Sequence, residues 1–115
     1  MEKTIEIDGK QVKFKSTAAT PLRYKAQFHK DYFSEILKLE KLEKVMKNKK
    51  ISDAERLANV DFDLFYNVAW VFAKTADKAI KEPIEWLDEF ETFPLETILP
   101  QLMELIISNM QSKKK

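Results

Sequence analysis

The sequence predicts a mostly helical α+β domain, in which an N-terminal β-hairpin packs on a bundle of about five helices. Three observations predict this fold class. The single glycine of the 115-residue chain lies at Asp8–Gly9, between two short segments of alternating polar and apolar residues. After Ser16, apolar residues recur at intervals of three and four, which is the spacing of a helix face. Cysteine is absent, so the fold has to be stabilised without disulfides or thiolate metal sites.

The first predicted element is the hairpin. An Asp-Gly pair supplies the positive backbone angles that a two-residue type I′ turn requires. Alternation places four apolar residues on one face, namely Ile5, Ile7, Val12 and Phe14. An isolated hairpin is marginally stable in water, so this face is expected to cover helices. Three lysines fall on the solvent side, where they also protect an exposed sheet edge: Lys10, Lys13 and Lys15.

Two helices are predicted next. Thr20–Pro21 is typical of a helix start, with threonine as the cap and proline at the first helical position. This helix is expected to end near Phe28. Asp31 is expected to cap a longer helix that runs to about Lys47. Between them lies His29, at a helix end where histidine can adopt a left-handed conformation.

The middle of the chain is predicted to hold a short helix and then the central helix of the core. Ser52–Glu55 forms a capping box that begins the short helix. Asp61 is expected to cap the next helix, which extends from Phe62 to about Ala76. Apolar residues cover most sides of this second helix, and a helix of that kind is usually buried.

Two further helices complete the prediction. One begins at Pro83 and ends near Phe90. The last begins at Pro94 and contains Pro100, which is expected to kink the helix or delay its regular start. Residues 1–112 are expected to form one domain, followed by a frayed basic tail at residues 113–115.

Charge is distributed unevenly along the chain. Residues 1–51 carry a net charge of +6, residues 52–112 carry −8 and residues 113–115 carry +3. This pattern is compatible with head-to-tail association of copies, but two halves that are simply solvated differently are the favoured interpretation. Basic and acidic residues alternate between Lys38 and Lys50, a pattern of helix-stabilising pairs that does not favour nucleic-acid binding.

No catalytic, metal or cofactor site is predicted. His29 is the only histidine, and no serine or paired carboxylate stands at a spacing that would complete a catalytic triad. Five acidic residues cluster around and after Pro83, and they are interpreted as a solvated face: Glu82, Glu85, Asp88, Glu89 and Glu91. We therefore expect a protein that is not an enzyme. No signal-peptide pattern begins the chain and no apolar run approaches the ~20 residues of a membrane span, so a cytoplasmic location is expected.

The C-terminal part offers candidate partner-binding residues, because apolar residues cover more than one face of the last helix and tryptophan is common at interfaces. Eight residues form this set: Trp86, Leu87, Phe90, Leu99, Leu102, Met103, Ile106 and Met110. The alternative is that other helices of the same domain cover this surface, which would make these residues part of the core.

Five segments carry a family resemblance. They are, in order, TAATPLRY at Thr17–Tyr24, FHKDYF at Phe28–Phe33, AWVFAKTAD at Ala69–Asp77, PIEWLDEF at Pro83–Phe90 and ILPQL at Ile98–Leu102. Together, and with the Asp-Gly hairpin before them, they resemble the tail assembly chaperones of long-tailed phages and prophages of Gram-positive bacteria. The family often has glycine where this chain has histidine at position 29.

The resemblance implies a non-enzymatic role. Such chaperones bind the long tape-measure protein and keep it soluble until tail-tube subunits polymerise around it. The expected partners are therefore the tape-measure protein and, as a further candidate, the tail-tube protein; a homo-oligomer is another option. The expected location is the host cytoplasm and not the mature virion. The alternative function is a small nucleic-acid-binding regulator that uses the basic N-terminal half.

Overall fold

The computed structural model describes residues 1–48, 50, 52, 54 and 62–111, and places two strands before five helices in that part of the chain. The elements are β1 (Glu2–Ile7), β2 (Lys10–Lys15), α1 (Thr20–Phe28), α2 (Tyr32–Lys47), α3 (Phe62–Ala76), α4 (Pro83–Leu87) and α5 (Leu95–Gln111). This order confirms the mostly helical α+β class. The capping box at Ser52–Glu55, the cap at Asp61 and the tail at 113–115 rest on residues outside the described ones.

The hairpin has the turn that its Asp-Gly pair predicts. Both turn residues have positive φ, 54° at Asp8 and 76° at Gly9. The strands pair antiparallel, with Ile7 opposite Lys10 next to the turn. Three of the four predicted inward residues are buried and Val12 is half-buried, so the apolar face lies against the helices as expected.

α1 begins one residue earlier than predicted. Thr20 is its first residue, and Ala19 occupies the cap position without a capping side chain. The prediction that Thr20 caps this helix is therefore wrong. The reason is that its hydroxyl accepts a hydrogen bond from the Thr17 backbone N–H at 3.0 Å, which closes the preceding turn.

The junction between α1 and α2 matches the prediction closely. His29 ends α1 in a left-handed conformation, with φ 60° and ψ 34°, and its N–H donates to the Lys25 carbonyl at 2.8 Å. Asp31 then caps α2, because its carboxylate accepts the Ser34 N–H at 2.9 Å.

α3 lies at the centre of the structure. Nine of its residues are buried: Leu64, Phe65, Val68, Ala69, Trp70, Val71, Phe72, Ala73 and Thr75. β2, α1, α2, α4 and α5 all pack against it. The predicted central helix is thus confirmed.

α4 is shorter than predicted and ends at Leu87 instead of Phe90. A turn follows, in which the Phe90 N–H donates to the Leu87 carbonyl at 3.1 Å. This turn brings the Phe90 ring to 5.3 Å from the Trp86 ring. A helix and a turn both bring residues four apart into contact. The spacing of Trp86 and Phe90 in the sequence therefore could not show that α4 ends before Phe90.

α5 begins at Leu95 and continues through Pro100, so the proline does not delay its regular start. The Pro94 carbonyl accepts the Ile98 N–H at 3.0 Å and begins the helical hydrogen bonding. Proline at position 100 removes one backbone donor. In the same turn, the Gln101 side-chain amide donates to the Thr97 carbonyl at 3.0 Å.

The hairpin is fixed to the C-terminal half by polar contacts. The Asp8 carboxylate accepts the Glu91 backbone N–H at 3.0 Å. Lys10 donates to the Glu89 carbonyl and lies 5.1 Å from the centre of the Phe90 ring. These contacts hold the turn of the hairpin against the segment that follows α4. None of the described helices is long and apolar enough to cross a membrane.

The left-handed conformation of His29 leads to a first prediction. Non-glycine residues adopt this conformation at a cost of about 1–2 kcal/mol. His29→Gly should remove that strain and raise the free energy of unfolding by about 0.5–1 kcal/mol, after allowing for the greater flexibility of glycine in the unfolded chain. Chemical denaturation measures the change. His29→Ala is the control and should not stabilise the protein; a glycine variant less stable than the parent would contradict the assigned strain.

Candidate partner-binding surfaces

The structure places five of the eight candidate partner-binding residues inside the core. Trp86, Leu99, Leu102, Met103 and Ile106 are 3%, 1%, 0%, 7% and 2% exposed. Leu87 and Phe90 are half-buried and pack against the core. The side chain of Met110 lies outside the described part of the chain. For Leu102, Met103 and Ile106 the structure favours the core alternative, because almost none of their surface is exposed to a partner.

Trp86 and Phe90 belong to an aromatic cluster. The Trp86 ring lies 5.6 Å from the ring of Phe93, and Phe93 lies 5.7 Å from Phe65 of α3. Phe90 and Phe93 are also 5.6 Å apart. Edge-on ring contacts of this kind add stability beyond the burial of area. The cluster therefore anchors α4 and the segment after it to the central helix.

Leu99, although only 1% exposed, lines the bottom of a cleft between the end of α2 and the start of α5. The cleft has a volume of about 180 Å³. Its lining residues are Glu43, Met46 and Lys47 from α2 and Leu95, Glu96, Leu99 and Pro100 from α5. Four of the seven side chains are apolar. Of these apolar residues, the sequence pattern indicated Leu99 as a candidate but not Met46, Leu95 or Pro100.

The lining of this α2–α5 cleft suits a ligand that has one apolar group flanked by polar groups. An apolar cavity of about 150 Å³ holds a benzene-sized group, so the cleft has room for one large side chain. At its rim the Lys47 ammonium lies 3.5 Å from the Glu43 carboxylate, one helical turn away. Glu96 adds a carboxylate in the first turn of α5. The cleft can thus take a leucine- or phenylalanine-sized anchor flanked by polar residues.

Several large apolar side chains also remain exposed on the described surface. They are Met1, Leu22, Phe33, Leu37, Ile84 and Ile107. Phe33 and Leu37 are 53% and 62% exposed and stand one turn apart on α2, so they lie on one face of that helix. Scattered apolar residues are normal on a protein surface, and only this pair is adjacent by helical spacing.

A second groove, of about 390 Å³, lies beside β2. One wall is formed by Lys10, Gln11, Val12 and Lys13 of β2, and the opposite side by Ala73, Asp77, Ile80, Trp86, Glu89 and Phe90. Two aromatic residues of the candidate set, the half-buried Phe90 and the buried Trp86, line this groove. We call this the β2 groove.

The buried ionisable groups form a structural network. The Tyr24 hydroxyl donates to the Glu35 carboxylate at 2.8 Å, and the Lys38 ammonium lies 3.4 Å from the same carboxylate. Burial raises the pKa of the nearby Tyr32 phenol. Among the described residues the Tyr32 hydroxyl has no hydrogen-bond partner. This network joins α1 to α2 and lies away from both the α2–α5 cleft and the β2 groove.

In the part of the chain that the structure describes, the residues that could catalyse a reaction or bind a metal do not form a common site. His29 is exposed at the end of α1 and lines neither the α2–α5 cleft nor the β2 groove. Within the ranges that the structure describes, no three histidine, aspartate or glutamate side chains are placed to hold a metal ion. In the described part of the chain, the cleft and the groove are two surfaces with the shape and chemistry for a ligand.

No protein-family model, curated protein or solved structure matches this chain. The family suggested by the five segments stays a prediction that rests on those segments.

Burial of the α5 residues leads to a second prediction. Leu102→Ala should lower the free energy of unfolding by about 2–5 kcal/mol, because it leaves a cavity in a close-packed core. Ile107→Ala, on the exposed side of the same helix, should change it by about 0.5 kcal/mol or less. Urea denaturation of both variants measures the difference. Equal, small effects would show that Leu102 belongs to a surface and not to the core.

Proposed function

We propose that this protein is a phage tail assembly chaperone that binds helical segments of the tape-measure protein and keeps them soluble. The α2–α5 cleft is the observation that carries this proposal. It is lined by four apolar and three charged residues, which is the chemistry that accepts one apolar side chain of an amphipathic helix. The resemblance of five segments to the chaperone family supplies the identity of the client.

Binding at the cleft would be weak for each copy. One side chain inserted into about 180 Å³ contributes a small apolar area, and association costs several kcal/mol of translational and rotational freedom. A long client with repeated apolar positions would compensate by binding many copies along its length. Weak individual contacts also allow release when tail-tube subunits compete for the client.

The exposed pair on α2 forms a second apolar surface on the same helix, separate from the cleft. Phe33 and Leu37 stand on the outer face of α2, whereas Met46 of the same helix faces the cleft. A coating protein that must cover an aggregation-prone client benefits from more than one apolar contact. The cleft supplies the anchor, and the exposed pair supplies additional area.

Co-expression with the tape-measure protein of the same prophage tests the proposal. The parent chain should raise the soluble fraction of the client. Leu95→Glu should abolish this effect, because it places a carboxylate in the cleft. Glutamate is favourable in the first turn of a helix, so α5 should still form.

Leu22→Glu is the matched control, since it makes the same substitution in the first turn of α1 at a side chain that is 73% exposed. This variant should support the client as well as the parent does. Leu95 packs partly against the core, so Leu95→Glu should lower the unfolding temperature more than Leu22→Glu does, and client solubility is compared at a temperature at which both variants are folded. Full client solubility with Leu95→Glu would count against the cleft, and salt-sensitive binding of the parent to duplex DNA would favour the regulatory alternative.

A further inference from the structure

We propose that the outer edge of β2, together with the β2 groove, binds an extended segment of a partner protein as an added β-strand. The segment would carry apolar residues on the side that faces the groove and acidic residues on the side that faces solvent. This site is separate from the α2–α5 cleft and does not depend on the chaperone proposal.

The pairing register shows which backbone groups of β2 are free. In a two-residue hairpin the residues next to the turn, Ile7 and Lys10, exchange both backbone hydrogen bonds. Every second pair along an antiparallel ladder does the same. At the open end, the Ser16 N–H donates to the Met1 carbonyl at 3.0 Å, as this alternation requires.

The backbone groups of Gln11, Lys13 and Lys15 consequently point away from β1. The sheet has only two strands, so β2 ends it on this side. Within the described part of the chain, no hydrogen bond reaches these N–H and C=O groups. An unpaired edge of this kind is a template for an additional strand.

The β2 groove lies where the inward side chains of an added strand would fall. Val12 forms its wall on the inner face of β2, and Ala73 and Ile80 lie below. Trp86 and Phe90 contribute aromatic surface on the opposite side. The volume of about 390 Å³ has room for two or three apolar side chains. The groove therefore supplies pockets at alternate positions, which give strand addition its specificity.

The charges determine how the segment must alternate. The groove lining includes Val12, Ile80 and Trp86, so an acidic side chain that faced inward would lose its hydration against apolar surface. Lys13 and Lys15 project from the opposite face of β2, where acidic residues of the segment would lie directly beside them. The favourable pattern is thus apolar inward and acidic outward.

The same lysines disfavour a second copy of this chain as the added strand. If the β2 edges of two copies paired, their lysines would lie on the same outer face and repel one another. At the turn, Lys10 donates to the Glu89 carbonyl and closes that end of the groove. The β1 edge of a second copy is disfavoured as well, because its inward residues Ile5 and Ile7 are already buried against its own helices and cannot fill the groove. The partner is thus a different polypeptide.

Binding of a fluorescein-labelled peptide of alternating glutamate and valine residues tests the proposal by fluorescence anisotropy. The parent should bind it, and a peptide of the same composition with its valines grouped together should bind about tenfold more weakly. Lys13→Pro should abolish binding, because proline removes the outward N–H while an edge position tolerates it.

Thr4→Pro is the matched control. Thr4 lies opposite Lys13, and its N–H points outward from the other edge of the hairpin, so this variant should bind as the parent does. Lys13→Asp and Thr4→Asp repeat the comparison with side-chain changes that keep the backbone N–H. Lys13→Asp should weaken binding by about tenfold or more, and Thr4→Asp should bind as the parent does. Either result overturns the proposal: no binding by the parent at about 1 mM, or equal loss of binding in the Lys13 and Thr4 variants of a pair.

Discussion

The side chains of α3 carry apolar groups around almost the whole helix, so the rest of the chain has to enclose it. Phe65, Trp70 and Val71 are all buried, although helical spacing places them on different sides of the helix. The hairpin covers one side, and α1, α2, α4 and α5 cover the others. Each apolar side chain removed from water contributes about 1.5–3 kcal/mol, so this enclosure is the main source of stability. It also determines which surfaces remain accessible.

Both candidate sites follow from how the surrounding elements meet. The ends of α2 and α5 come together over the core and leave the cleft that reaches Leu99. The hairpin lies on α3 with its β2 edge toward α4, which leaves the β2 groove. Asp8 and Lys10 fix this position through the Glu91 N–H and the Glu89 carbonyl. The contacts that hold the hairpin in place thus also shape one of the two binding surfaces.

Much of the fold could be predicted from the sequence because local rules determine it. Asp8–Gly9 requires its turn, Asp31 caps its helix and α3 is apolar on most sides, and each of these predictions agrees with the structure. The cleft could not be predicted in the same way, since Met46 and Leu95 are far apart in the chain and only tertiary packing joins them. The periodicity of α5 predicts that its wide apolar surface is buried. It does not predict whether other elements of this chain or a partner protein bury it.

Native-state hydrogen exchange tests the central role of α3 most directly. If the other elements enclose α3, its backbone amides become accessible only when the whole domain unfolds. The account predicts that the slowest-exchanging amides lie in the middle of α3, around Val68–Phe72, and that their exchange free energy equals the global free energy of unfolding. Amides of α3 that exchange faster than those of the hairpin or α5 would contradict it.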